Sequence, residues 1–259
     1  MPEIRLDKFI SERTEHTRSQ IKTIAAKGGI RVNGSIVKAA DRKIDPESDT
    51  VTVNGQELSA SRYRYILLNK PEGYVSSTGD HDGKNVMELI PPELRTKDMF
   101  PAGRLDKDSI GALLITDDGE LAHRMLSPKK HIPKIYMVRL ARSFGEEYAE
   151  KFAAGIELEN GEVCRPAKVQ RAESCDTVAF VELSEGKYHQ VKRMFAAVGN
   201  HVEKLMRLSL GGLHIAPELN CGECIVLTDN DIKQLFNYDN FADFCRIYEK
   251  RFLSFLINE

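Results

Sequence analysis

Apolar residues near the start of the chain recur at helical spacing. Leu6, Phe9 and Ile10 are followed by Ile21, Ile24 and Ala25, with Thr17 or Ser19 placed to cap a second helix. Gly28-Gly29 ends this period, and alternating strands follow at Ile30 to Val32, Ile36 to Lys38 and Thr50 to Val53, with Asn33-Gly34 and Asn54-Gly55 as turns. Residues 1–58 therefore read as a helix-helix-hairpin head, and the polar residues 59–64 as a linker. A body over 65–233 opens with an apolar strand at Tyr65 that ends in a Pro-Gly turn. Its other strands are short and separated by turns such as Asn160-Gly161 and Gly211-Gly212, with helices near Gly119 to Ser127, Glu146 to Ala154 and His189 to Val198. The expected fold class is α+β, a mixed, mainly antiparallel sheet flanked by helices. Residues 234–259 form an amphipathic helical extension in which Phe241, Phe244, Tyr248, Phe252 and Phe255 recur every three or four residues after Asp239 or Asn240. That stripe either docks on the body or meets a partner.

Composition narrows the function. At 259 residues, 41% hydrophobic and 29% charged, the chain can bury one or two cores. It has no run of eighteen apolar residues, and its N-terminus is charged where a signal peptide is apolar, so a cytoplasmic protein without membrane contact is expected. Five scattered cysteines suit a reducing compartment. Cys221-Gly-Glu-Cys224 lacks a second ligand pair and reads as a turn into a strand, so no metal is expected. Without a GxGxxG or Walker loop, no cofactor is expected either.

The net charge is only −2, yet the cations are segregated. Between Glu120 and Glu146 no acid occurs, while Arg124, Lys129, Lys130, Lys134, Arg139 and Arg142 do, with His123 and His131 interleaved. Between Lys187 and Arg207, Glu203 alone opposes Lys187, Lys192, Arg193, Lys204 and Arg207. In the head, Arg5, Lys8, Arg18, Lys22, Lys27 and Arg31 are spaced so that several share one face. Such clusters favour a polyanion.

The run GRLDKDSIGALLITDDG, from Gly103 to Gly119, sets Asp106 between an Arg and a long apolar strand. As a calcium loop it fails at Ile110, a ligand position, and at Asp117, where a bidentate Glu is wanted. As an aspartyl-phosphate site it again fails at Ile110. A simple turn built by Asp106 and Asp108 remains open, as does a carboxylate placed for chemistry.

Two resemblances bear on that choice. The segments RLDKFI (Arg5 to Ile10), TRSQIKTIAAKGGIRVNG (Thr17 to Gly34) and Asp49-Thr50-Val51 resemble the S4-type RNA-binding domain, which implies structured RNA bound by shape and backbone charge. In the body, LNKPEGY, the GRLD run, HIPKIYMV (His131 to Val138) and SEGKYHQVKRMFAAVGNHV (Ser184 to Val202) resemble the RsuA-like ribosomal pseudouridine synthases. The last segment is similar to the small-subunit branch. That branch implies isomerisation of a uridine in 16S rRNA, uridine 516, met in a ribonucleoprotein assembly intermediate by a monomeric enzyme. The alternatives are the same reaction on 23S rRNA, or a ribosome-associated RNA-binding or folding factor.

The reaction detaches the base, rotates it and rejoins it through carbon, which calls for a carboxylate at sugar or base and a group that removes the C5 proton. The resemblance places the carboxylate at Asp106, leaving open whether it attacks base or sugar. It places at Tyr136 the ring that stacks on the target base and takes the proton. It also implies that Lys192, a Lys where many relatives have Arg, pairs with Asp106 and keeps it ionised. Arg104 either orients Asp106 from the same face of an extended strand or fills the gap left by the flipped base. Lys134 and Arg193 join the RNA-contacting set, Leu105 reads as core, and Asp108 as a turn or capping residue. A strand ending near Lys192, with a helix starting there, is expected.

Overall fold

A computed structural model describes residues 3–257 except 47, 59–60, 80–82, 128–131 and 239, with side chains described to 252. Lys129, Lys130 and His131 of the first basic run, Ser59 of the linker, Asp239 and the Phe255 side chain lie outside the described residues. The chain forms two compact units, Met1–Arg64 with Pro92–Met99, and Tyr65–Pro91 with Phe100–Glu259.

In the first unit, β1 (Ile4–Arg5) leads into α1 (Leu6–Ser11) and α2 (Arg18–Ala26), followed by β2 (Ile30–Val32), β3 (Ser35–Ile36), β4 (Lys43–Ile44), β5 (Val51–Val53) and β6 (Gln56–Glu57). Thr17 caps α2: its hydroxyl accepts from the Gln20 amide while the Gln20 side chain accepts from the Thr17 amide. The apolar faces legible in the sequence close on each other, since Leu6, Phe9, Ile10, Ile21, Ala25, Ile30 and Val53 are all buried in one cluster. β2 to β6 without β4 form an antiparallel sheet ordered β3-β2-β5-β6, and β4 pairs with β1.

The second unit is built on β7 (Tyr65–Lys70), β8 (Phe100–Pro101), β9 (Ile110–Thr116), β10 (Lys134–Leu140), β11 (Lys168–Arg171), β12 (Val178–Leu183), β13 (Val202–Leu210), β14 (Leu213–His214) and β15 (Cys224–Leu227). The main path runs β11-β12-β10-β13-β9-β7-β15. Only the short β9–β13 contact, Met206 opposite Ile110 and Arg207 opposite Gly111, is parallel among these pairs, which matches the expected mixed, mainly antiparallel sheet. Gly111 has φ 106°, and a Cβ there would sit 2.2 Å from the Arg207 carbonyl oxygen, so the two central strands meet only because this residue has no side chain.

Helices α3 (Gly119–Leu126), α4 (Tyr148–Ala154), α5 (Gln190–Ala197), α6 (Asp229–Gln234) and α7 (Phe241–Ile257) complete the unit. Asn240 caps α7, accepting from the amides of Ala242 and Asp243. The aromatic stripe docks on the body: Phe241, Phe244, Tyr248 and Phe252 are buried, and the rings of Phe244 and Tyr248 both pack edge-on against His214 of β14. Glu249 fastens the helix by accepting from the amides of Glu173 and Ser174. Cys221 and Cys224 flank a turn with Gly222 at φ 91°, ending in β15. Among the described residues, no helix is long and apolar enough to cross a membrane.

Candidate active site

The segment from Arg104 to Ser109 is a loop, not the extended strand expected, and β9 begins only at Ile110. Its backbone carbonyls are tied down one by one. The Arg104 carbonyl accepts from Arg207 (3.2 Å), and Leu105 exchanges hydrogen bonds with the Ser76 hydroxyl through both its amide groups (3.0 Å each). The carbonyls of Asp106 (3.0 Å) and Ser109 (2.7 Å) accept from the Lys70 ammonium, and that of Lys107 from the Gly73 amide. Leu105 points into the core, as expected. The loop is thus fixed by its backbone, and the side chains of Arg104 and Asp106 are left to line a cavity of about 650 Å³. That volume lies within the range of small-ligand sites.

Strand alternation furnishes the rest of the cavity. Lys134 and Tyr136 are two apart on β10 and share a face, and Tyr136 lies directly opposite Arg207 on β13. Tyr136 is buried, and Arg207 is buried as well, with a guanidinium nitrogen (Nη2) that has no partner among the described residues. The other guanidinium nitrogens reach the Ala112 carbonyl through Nε (2.7 Å) and the Arg104 carbonyl through Nη1. Burial, aided by the neighbouring Arg207 charge, pulls the Lys134 ammonium down to about 8. On the cavity wall Arg104, Lys134, Lys187 and Arg207 outnumber the acids Asp106 and Glu185, as suits a polyanion. Lys134 would lose its charge as pH rises through about 8. The expected result is a KM for RNA that climbs on the alkaline side, and Lys134→Arg, whose charge persists, should flatten that climb in a pH series of initial rates.

Lys192 departs from expectation. The helix α5 starts at Gln190, so Lys192 sits in its first turn and strand alternation does not govern where it points. Its ammonium is 2.6 Å from both oxygens of Asp108, not paired with Asp106. Burial alone would raise the Asp108 carboxyl, but the hydrogen bond and charge of Lys192 outweigh it and hold it below its ordinary range. Asp108 is therefore the anchor that ties the loop to α5. The side chain nearest Asp106 in charge terms is His189, its Nε2 3.5 Å from Oδ1, an ion pair when the imidazole is protonated. His189 has φ 47° and ψ 35°, left-handed geometry that non-glycine residues seldom adopt, and this turn brings its ring to the cavity.

The remaining expected residues divide. Arg193 is engaged within the body, reaching Asn160 (2.8 Å), Glu162 and the Tyr188 carbonyl. In the first unit Arg18, Lys22, Lys27 and Arg31 are exposed, Arg31 donating to the Gly34 carbonyl, whereas Arg5 is paired with Asp7 and Lys8 lies 3.9 Å from Glu12.

Comparison with known proteins decides the chemistry. The family described as RNA pseudouridylate synthase matches residues 64–197, which hold Asp106, Tyr136 and Lys192, and the S4 domain matches residues 4–51. The chain belongs to the RNA pseudouridine synthases. Ribosomal small subunit pseudouridine synthase A of Escherichia coli (strain K12) is 40% identical over 231 residues, 88% of this chain and 98% of that one. An uncharacterized RNA pseudouridine synthase, YtzG of Bacillus subtilis (strain 168), is 40% identical over 234 residues, 90% of this chain and 98% of its own. A crystal structure of a pseudouridylate synthase superimposes with a TM-score of 0.62 at 38% identity, covering 90% of this chain and 99% of that one.

The synthase also uses residues that sequence reasoning left unassigned. Lys70, Ser76 and Arg207 position the loop, and two of them carried a signal: Lys70 closes the mostly apolar strand YILLNK, and Arg207 interrupts the mostly apolar second half of VEKLMRLSL. A charge in such a place must be paired or put to use. Ser76 carried none.

Proposed function

We propose that this synthase converts uridine 516 of 16S rRNA to pseudouridine in an assembling small-subunit particle, with Asp106 as its essential carboxylate. The observation that carries the assignment of Asp106 is its placement: an acid on a loop whose backbone is clamped at successive carbonyls, facing a cation-rich cavity with Tyr136 on its wall. Preorganisation of that kind serves a group that must meet a reacting atom. In this reading Tyr136 stacks on the flipped base and accepts the C5 proton, while Lys192 acts through Asp108 as a positioning residue. Arg104, exposed at the rim, takes the space the base leaves. Lys134 and the exposed cations of the S4 domain, Arg18, Lys22, Lys27 and Arg31, meet the phosphates, and no cofactor takes part. The small-subunit target is supported by the likeness to small-subunit synthases and by the SEGKYHQVKRM segment. Action on ribosomal RNA fits the cytoplasm.

Pseudouridine mapping across both rRNAs from cells lacking this protein tests the target. The expected result is loss of one pseudouridine, at uridine 516 of 16S rRNA, restored by the wild-type chain. Loss at a 23S position instead would move the target to the large subunit, and an unchanged map would favour an RNA-binding or folding factor.

A further inference from the structure

Tyr188 is 76% exposed, unusual for an aromatic side chain of the body, and it stands at the cavity that holds Asp106. Its ring is not loose. It lies face to face with the His189 imidazole, centroids 3.9 Å apart and planes within 16°. The left-handed backbone at His189 sets that stack, and the loop before α5 is braced on both sides of it. The Lys187 amide donates to the Gln190 side chain (2.8 Å), and the Tyr188 carbonyl accepts from Arg193 (3.3 Å). A ring covered on one face and open to solvent on the other is a slot waiting for a second flat partner.

We propose that Tyr188, backed by His189, is a stacking platform for an unpaired nucleobase adjacent to the uridine that enters the cavity; this rests on the reading of the Asp106 cavity as the reaction site. Single-stranded RNA is recognised largely by bases stacked on aromatic side chains, an interaction tolerant of sequence because every base has a π-face. A flipped uridine leaves its neighbours partly unstacked, and these are the bases that gain most from a new partner. The cations near the platform, Lys187 and Arg193, are held by Glu162, so they do not compete for the open face of the ring. Tyr188 is thus a positioning residue whose energy appears in binding.

RNA from cells lacking this protein contains the natural target whichever rRNA carries it, and serves as substrate. Tyr188→Ala should raise KM about tenfold and leave single-turnover kcat within about twofold, whereas Tyr188→Phe should match the wild type. The chain has no tryptophan, so Tyr188→Trp combined with Asp106→Asn places one fluorophore at the platform, and its emission should be quenched as the same RNA is added. Unchanged KM in Tyr188→Ala, or unquenched emission on saturation with RNA, overturns the platform. Full activity of Asp106→Asn overturns the reading of the cavity instead, and the two failures are read from separate variants.

Discussion

Asp106→Asn is expected to abolish pseudouridine formation, lowering kcat by at least ~10³-fold, with RNA binding within about twofold of wild type. Asn keeps the size and shape of the side chain but neither attacks carbon nor carries a negative charge. The loop should not notice the change. Its geometry depends on the carbonyls of residues 104 to 109 and on Asp108, whereas the Asp106 side chain has His189 near it at 3.5 Å and is 28% exposed. A thermal midpoint near that of the wild type, together with absent product by mass spectrometry of digested RNA, is the predicted pair of observations. Substantial turnover by a folded Asp106→Asn protein would remove Asp106 from the mechanism.

Lys70→Met is expected to be nearly as damaging by another route. The Lys70 side chain is fully buried, and its ammonium donates to the carbonyls of Pro71, Asp106 and Ser109 at 2.7 to 3.0 Å. Methionine fills the stem but strands these acceptors, at ~1–3 kcal/mol for each left unsatisfied. The loop then loses the contact that fixes the height of Asp106, and displacement by an ångström costs on the order of 10²-fold in kcat. Both losses should appear, a lower denaturation midpoint and a lower kcat measured well below it. A normal kcat in the folded fraction would make Lys70 a stability residue alone. Burial also drags the Lys70 ammonium from its ordinary 10.5 to about 8. Between those values the unfolded chain holds the proton and the folded chain does not, so this group makes stability rise with pH across that window. Lys70→Met should lack its share of that rise.

The two helices, the Asn-Gly turns and the central strands of the S4 head were legible, because short helices and two-residue turns are governed by local period and capping, and Thr17 and the Asn-Gly pairs act within four residues of themselves, whereas the short strands β1, β4 and β6 were not. The aromatic stripe of α7 was legible for the same reason, its docking face written at helical spacing. Lys192 was not. Its expected partner came from the resemblance and its expected place from a strand running to about Lys192, whereas a left-handed residue at His189 starts the helix at Gln190 and the side chain meets Asp108. Ser76 was out of reach because its partner lies 29 residues away along the chain, and for Arg207 the charge was legible but not its acceptor 103 residues away.

By itself the sequence determined the α+β class, the RNA-binding head and the synthase family, and through the likeness to that family it nominated Asp106 and Tyr136 for the chemistry. These follow from local patterns and ordered motifs. Only the tertiary structure decided how Asp106 is held, which acid Lys192 meets, and that His189 and Tyr188 stand at the cavity. Those depend on β7, β9, β13 and α5 converging from distant parts of the chain, and on hydrogen bonds to backbone carbonyls, which no residue type announces.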